Sequence, residues 1–277
     1  MPDKYAVFGN PVAHSRSPQI HRAFASETGE NIEYDRVLVP NGKFRETARQ
    51  FLASGGRGMN VTVPCKEDAF AFANSLSPRA QRAGAVNTLK LAADNTLLGD
   101  NTDGQGLLTD LTDNLQWPIT GQRLLLLGAG GAARGVLEPL LAQGPATLVI
   151  GNRTLSKAQT LAQSFSDLGN IQASGYQDLG QQASFDLIIN ATSASLGGEL
   201  PPLPDNIIAS NSHCYDMLYG ADPTIFMGWA SDRGAKQVVD GLGMLVEQAA
   251  ESFFLWRGKR PHTKPVIEAI RADLLEN

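Results

Sequence analysis

Leu124-Leu125-Leu126-Leu127-Gly128-Ala129-Gly130-Gly131-Ala132-Ala133-Arg134, followed by Leu148-Val149-Ile150-Gly151-Asn152-Arg153-Thr154, is the stretch that decides the fold. An apolar strand runs into G-x-G-x-x-A. In that pattern Gly128 allows a tight turn, Gly130 lets backbone approach a pyrophosphate, and Ala133 lets the following helix pack close to the strand. The helical pattern Gly135-Val136-Leu137-Glu138-Pro139-Leu140-Leu141 and a second strand from Ala146 to Ile150 complete a βαβ unit. Glycine triplets arise by chance in a chain with 28 glycines. The strand before this one and the helix after it make dinucleotide binding the reading, with the helix N-terminus facing the phosphates.

The end of the second strand selects the cofactor. A ribose 2′-hydroxyl is usually held by Asp or Glu at this point, whereas a 2′-phosphate wants cations and no carboxylate. Here Asn152 is followed by Arg153, Thr154, Ser156 and Lys157. Two charge-assisted hydrogen bonds, at roughly 1.5–3 kcal/mol each, favour the phosphorylated cofactor by about 10² to 10⁴. NADP is therefore expected. Thr154 or Ser156 is also expected to cap the helix that contains Leu161 and Ala162.

The 277 residues, 42% hydrophobic and 18% charged, suit a globular enzyme of one large or two modest domains. A net charge of −5 and the absence of any basic run beyond Arg257-Gly258-Lys259-Arg260 argue against nucleic-acid or membrane partners. The N-terminus enters a strand at once, without a signal-peptide pattern, and no long apolar run follows, so a cytoplasmic location is expected. Cys65 and Cys214 give no disulfide framework. His14, His21, His213 and His262 form no metal-ligand pair, so no metal is expected.

The glycine turn comes late in the chain, so another domain precedes it. Strand signals over Tyr5–Phe8, Ile32–Val39 and Gly58–Val63 alternate with helical ones over Ser17–Thr28, Gly42–Ser54 and Lys66–Ser75, an α/β pattern. A helix from Gly104 to Leu115 leads to a hinge at Trp117-Pro118-Ile119-Thr120-Gly121, and the cofactor domain follows to about Asp240. Two helices, Gly241–Trp256 and Pro265–Leu275, close the chain.

Four polar segments stand out before the glycine turn: Ser15-Arg16-Ser17, Asn60-Val61-Thr62-Val63-Pro64-Cys65-Lys66, Ala85-Val86-Asn87-Thr88 and Gly99-Asp100-Asn101-Thr102-Asp103-Gly104. Each alone has a structural reading. Ser17 before Pro18 reads as an N-cap, Lys66 as a solvated first-turn lysine, and Asn87 or Asn101 as a turn residue. In order, and with Asn190-Ala191-Thr192-Ser193, Tyr215-Asp216-Met217-Leu218-Tyr219 and Gly241-Leu242-Gly243-Met244-Leu245-Val246-Glu247-Gln248, they closely resemble the shikimate dehydrogenase family. The resemblance runs from Phe8-Gly9-Asn10-Pro11 to the last helix.

That resemblance implies reversible NADPH-dependent reduction of 3-dehydroshikimate to shikimate, a step of chorismate and aromatic amino-acid biosynthesis. It implies Lys66 and Asp103 as the catalytic pair. Ser15, Ser17 and Tyr219 are implied at the substrate carboxylate, and Thr62, Asn87, Asp103 and Gln248 at the ring hydroxyls. On the cofactor side it implies Gly128, Ala129, Gly130, Gly131 and Ala132 at the pyrophosphate, Asn152, Arg153, Thr154 and Lys157 at the adenosine phosphate, Met217 and Gly241 near the nicotinamide, and Thr192 as a further cofactor-binding residue. A role for Gln248 would carry the helix after Gly241 back to the first domain. The expected fold is therefore α/β with two domains: an α/β substrate domain, 1–103 plus 242–277, a Rossmann-like NADP domain, 104–241, and a cleft between them. A monomer or homodimer acting on this small molecule is expected.

Two positions depart from the family pattern. Cys65 stands where an aromatic residue often precedes the lysine; a change of packing is the expected consequence, with a modifiable thiol as the lesser alternative. Lys157 replaces a common arginine, giving a point charge instead of a planar fork. Two other functions compete with the leading one. A quinate/shikimate dehydrogenase with dual NAD and NADP use calls for an acidic residue near Asn152, where none stands. A non-catalytic NADP-binding sensor has no use for Lys66, Asp103 and Gln248 together.

Overall fold

The computed structural model describes residues 1–276. They form two compact units, Met1–Gly106 with Val246–Ile270, and Leu107–Leu245 with residues 271–276.

The first unit is built on a six-stranded sheet whose strands are β1 (Asp3–Gly9), β2 (Ile32–Leu38), β3 (Gly56–Val61), β4 (Ser75–Leu76), β5 (Thr88–Leu91) and β6 (Leu97–Asp100), in the order β2-β1-β3-β5-β6-β4. Helices α1 (Ser17–Thr28), α2 (Phe44–Ala53), α3 (Lys66–Phe72) and α4 (Pro78–Ala83) connect them, and α5 (Asp103–Thr109) follows β6. Alternation along β1 divides the core. Ala6 and Phe8 join Phe44, Ala48 and Met59 on one face, while Tyr5 and Val7 join Tyr34 and Trp256 on the other. Both faces are covered, so β1 reads as a continuous apolar run rather than a half-polar one.

Strands β1, β2 and β3 are parallel, and β5 runs antiparallel to both β3 and β6. This antiparallel half is absent from the sequence reading. Four-residue strands give too few positions for a period-2 pattern, and their turn is carried locally by Asn95 at φ 63° and by Asp94 Oδ1, which accepts from the Thr96 N–H at 3.0 Å. The reversal matters for function. It brings the start of β5 and the end of β6 to the sheet edge where β1 and β3 end, with Asn60 opposite Thr88 and Thr88 opposite Asp100.

The second unit holds six parallel strands, β7 (Arg123–Leu127), β8 (Thr147–Asn152), β9 (Ile171–Gly175), β10 (Phe185–Asn190), β11 (Ile208–Asp216) and β12 (Gln237–Val239), ordered β9-β8-β7-β10-β11-β12. The order reverses between β7 and β10, the position where doubly wound sheets bind ligands. Helices α6 (Gly131–Ala142), α7 (Leu155–Ser164) and α8 (Ile225–Asp232) cover it. Leu124 and Leu126 meet Val136, Leu137 and Leu140 of α6 on one face; Leu125 and Leu127 meet Phe226 and Trp229 of α8 on the other.

Helix α9 (Leu242–Arg257) begins in the second unit and ends in the first, with Gly258 in the left-handed region (φ 68°) closing it. The last helix, α10 (Lys264–Glu276), passes into the second unit at Arg271. Residues 271–276 therefore pack with the second unit rather than with the substrate domain expected over 242–277. Arg271 explains why: it donates to the Gly220 carbonyl at 3.0 Å and to Asp240 Oδ1 at 2.5 Å.

Local details also differ from the reading. The helix expected over 104–115 ends as a wider π turn, Asp110–Asn114, around the buried Asp110, whose Oδ2 accepts from the Tyr215 hydroxyl at 2.7 Å. Arg16, not Ser17, is the N-cap of α1, and Ser17 is its first helical residue. Thr154 occupies the N-cap position of α7 without a side-chain cap bond; its carbonyl accepts from Asn152 Nδ2 at 2.8 Å instead. No helix among the described residues is long and apolar enough to cross a membrane.

Candidate active site

In the first unit the polar segments converge because each follows or precedes a strand at the same sheet edge. Ser15 and Ser17 follow β1, Thr62 and Lys66 follow β3, Asn87 immediately precedes β5, and Asp103 follows β6. Lys66 is the first residue of α3 and Asp103 the first of α5. A carboxylate suits a helix N-terminus, whereas an ammonium does not. Glu67 and Asp68 in the first turn of α3 offset that penalty.

Lys66 Nζ donates to Asp103 Oδ2 at 2.5 Å, with the lysine side chain 28% and the aspartate side chain 12% exposed. The other carboxylate oxygen, Oδ1, accepts from Asn87 Nδ2 at 2.7 Å. The same amide nitrogen reaches Thr102 Oγ1 at 2.9 Å and Gln248 Oε1 at 3.4 Å. Four of the expected residues, Lys66, Asn87, Asp103 and Gln248, are thus in one hydrogen-bonded cluster. Gln248 comes from α9, which approaches α5 closely: a Cβ on Gly106 would lie 2.6 Å from the Gln248 backbone nitrogen.

Ser15 and Ser17 form their own pair, Oγ to Oγ at 3.1 Å. Thr62 follows β3 directly, where its backbone N–H donates to the Phe8 carbonyl at 2.8 Å and its methyl packs on Gly9. Tyr219 lies in the second unit, in the loop after β11. The structure also shows supports that the reading missed as such. Asn101 Oδ1 accepts from the Asp103 N–H at 3.2 Å, and Thr88, Asn60 and Ser252 lie buried behind Asn87. All but Ser252 stand inside the quoted polar segments; Ser252 lacks any sequence signal beyond its place one turn after Gln248. Cys65 is buried, and burial pushes its thiol up, which disfavours the reactive thiolate.

An ammonium held on a carboxylate, with amide and hydroxyl groups beside it, can give or take a proton at a substrate oxygen while binding hydroxyls. No group of three metal-ligating side chains occurs among the described residues.

The second unit carries a cavity of about 660 Å³ at the end of β7. It is lined by Gly128, Ala129, Gly130, Gly131, Ala132, Asn152, Arg153 and Thr192 from the expected set, and also by Tyr176, Ala191 and Ser193. Gly128 sits at φ 104°, a conformation that other residues rarely adopt. A Cβ on Gly130 or Gly131 would meet nothing within 4 Å, so their backbone faces open space at the N-terminus of α6, as a phosphate cradle requires. Thr154 and Lys157 stand exposed at the start of α7 beside this cavity's Arg153. Met217 and Gly241 pack against each other so closely that a Cβ on Gly241 would collide with the Met217 carbonyl oxygen. Thr192 is held by Asn190, whose Oδ1 accepts from its hydroxyl at 2.7 Å.

Residues 7–89 match the family described as shikimate dehydrogenase substrate binding domain, residues 111–197 the shikimate / quinate 5-dehydrogenase family, and residues 241–271 the shikimate 5'-dehydrogenase C-terminal domain. The NADP(+) shikimate dehydrogenase of Cellvibrio japonicus is 58% identical over 276 residues, covering 100% of this chain and 99% of that one. The one from Aeromonas salmonicida is 57% identical, with 98% of each chain covered. The crystal structure of shikimate 5-dehydrogenase from Thermus thermophilus in complex with NADP(H) and shikimate superposes with a TM-score of 0.87 at 33% identity, covering 98% of this chain and 100% of that one. With sequence likeness along its whole length and the same fold, this chain belongs to the shikimate dehydrogenase family.

Proposed function

We propose that this chain interconverts 3-dehydroshikimate and shikimate with NADP, a step of chorismate and aromatic amino-acid biosynthesis, and that Lys66 and Asp103 handle the proton. The observation that carries this reading is the Lys66 Nζ–Asp103 Oδ2 contact at 2.5 Å, inside a cluster that also presents Asn87 and Gln248. The first unit holds the substrate and the second the cofactor. Residues 1–103 supply the substrate contacts together with Gln248 and Tyr219.

NADPH, when bound, supplies the hydride. As a ring carbonyl is reduced, negative charge grows on its oxygen, and the Lys66 ammonium stabilises and then protonates it. Asp103 holds the ammonium through Oδ2 while Asn87 occupies Oδ1, so the carboxylate cannot swing away from its task. In the oxidative direction the same pair accepts the hydroxyl proton. Ser15 and Ser17, with Tyr219, bind the substrate carboxylate. Thr62, Asn87, Asp103 and Gln248 bind ring hydroxyls, which makes the site reject analogues lacking one.

The open backbone of Gly130 and Gly131 fits a pyrophosphate, and Gly128 through Ala132 hold it. Asn152, Arg153, Thr154 and Lys157 hold the 2′-phosphate with no carboxylate among them, and Thr192, Met217 and Gly241 complete the cofactor site. Absorbance at the reduced-nicotinamide band, with shikimate or quinate against NADP or NAD, tests the reading. Rapid shikimate-dependent reduction of NADP, far faster than with quinate or NAD, is expected. Equal rates with NAD, or none with shikimate, would overturn it.

A further inference from the structure

Behind Asn87 lies a column of buried polar side chains. Tyr34 on β2, Asn60 on β3, Thr88 on β5 and Ser252 on α9 are all nearly sealed from solvent, Asn60 most open at 6%. Such a column is costly unless every member is paired. Here every member is, and the pairing has a direction.

The direction follows from counting protons. The Tyr34 hydroxyl has one, and burial pushes its ionisation well above the usual tyrosine range, so it stays a donor. It donates to Asn60 Oδ1 at 2.7 Å. That contact selects one of the two orientations of the Asn60 amide and turns Nδ2 toward Ser252 Oγ at 3.0 Å and Thr88 Oγ1 at 3.1 Å. Each hydroxyl, now accepting, has its own proton to place. Ser252 can donate to the Gln248 carbonyl at 3.0 Å; Thr88 has two acceptors in reach, Ser252 Oγ at 2.8 Å and Asn87 Oδ1 at 2.9 Å, and because Ser252 already accepts from Asn60 Nδ2 we assign the Thr88 proton to Asn87. The Thr102 backbone N–H, which can only donate, meets the same Oδ1 at 2.9 Å. With its oxygen doubly occupied, the Asn87 amide presents Nδ2 to Asp103. Were the Asn60 amide reversed, its oxygen would draw the Thr88 proton away from Asn87.

We infer that Tyr34, Asn60 and Thr88 are positioning residues for the Lys66–Asp103 pair. Their one-way chain of hydrogen bonds aims the Asn87 amide at Asp103 Oδ1 and leaves Oδ2 to Lys66. This rests on the assignment of that pair as the proton-handling groups.

Kinetics of Thr88→Val, Thr88→Ser, Tyr34→Phe and the double variant Tyr34→Phe/Thr88→Val test it, with rates normalised to the folded fraction from thermal melting. Removing one hydrogen bond is worth about 0.5–1.5 kcal/mol, so Thr88→Val should lower kcat by roughly 3- to 10-fold with KM for NADP unchanged. Thr88→Ser, which keeps the hydroxyl, should restore kcat to within about twofold. The double variant should be no slower than Thr88→Val alone, because both changes break the same chain. Wild-type kcat per folded molecule in Thr88→Val, or losses that multiply in the double variant, would overturn the inference. Should Thr88→Val not fold, Tyr34→Phe, which deletes a single oxygen, is held to the same kcat criterion. Activity surviving in Lys66→Ala would instead remove the underlying pair assignment; an inactive Lys66→Ala beside an unimpaired Thr88→Val removes this inference alone.

Discussion

His21 shows how far a single residue's role can lie from what its type suggests. It is fully buried, stacked on Tyr34 with ring centroids 4.3 Å apart and planes 7° apart, and neither ring nitrogen has a hydrogen-bond partner among the described residues. Burial pushes its pKa down to about 3, while Asn60 favours the charged form from outside hydrogen-bond geometry. The unfolded chain binds a proton near pH 6.5 and the folded one does not, so stability falls as pH drops below 6.5. At pH 5 the loss is about 2 kcal/mol. Denaturant unfolding at pH 7 and pH 5 should show this loss in the wild type and not in His21→Phe; equal losses in both would clear His21 of the effect. The residues of the site were legible for a different reason. Lys66, Asn87 and Asp103 each had an ordinary structural reading, and only their joint order with the glycine turn pointed to chemistry. Tyr34 and Ser252 were not legible, because a buried hydroxyl inside an apolar pattern leaves no periodic trace.

At the scale of elements, legibility followed length. The helix from Ser17 to Thr28 could be placed from its apolar spacing, and the strand Leu124 to Leu127 from its unbroken apolar run into the glycine turn. Strands β4 to β6 could not, and they are the elements that turn the sheet back to bring Asn87 and Asp103 beside Lys66. Close approach of α5 and α9 is equally hidden in sequence, being carried by the missing side chain of Gly106. Gly106→Ala would press a methyl onto Gln248, 2.6 Å from its Cβ. Overpacking of this kind costs about 1–3 kcal/mol. The variant should melt at lower temperature and show a raised KM for shikimate with KM for NADP unchanged; a wild-type KM for shikimate would mean that Gln248 does not bind the ring.

For the whole molecule, the glycine turn identified one half of the reaction and its position in mid-chain called for the other. The discontinuous first unit followed from Gln248 rather than from any boundary signal, and the structure returns to that unit at Val246, inside α9. The passage of α10 into the second unit depends on the Arg271 contacts with Gly220 and Asp240, long-range pairings that no local pattern announces. In the proposed reaction a proton is matched to a hydride, and that proton is assigned to Lys66. The direct measurement is the single-turnover rate of NADPH oxidation by 3-dehydroshikimate in Lys66→Ala against wild type. General acid catalysis contributes about 10²- to 10⁴-fold, so the rate should fall by at least 10², with substrate affinity within a few-fold. A Lys66→Ala protein that keeps more than about a tenth of the wild-type rate would contradict the assignment of Lys66 as the proton donor.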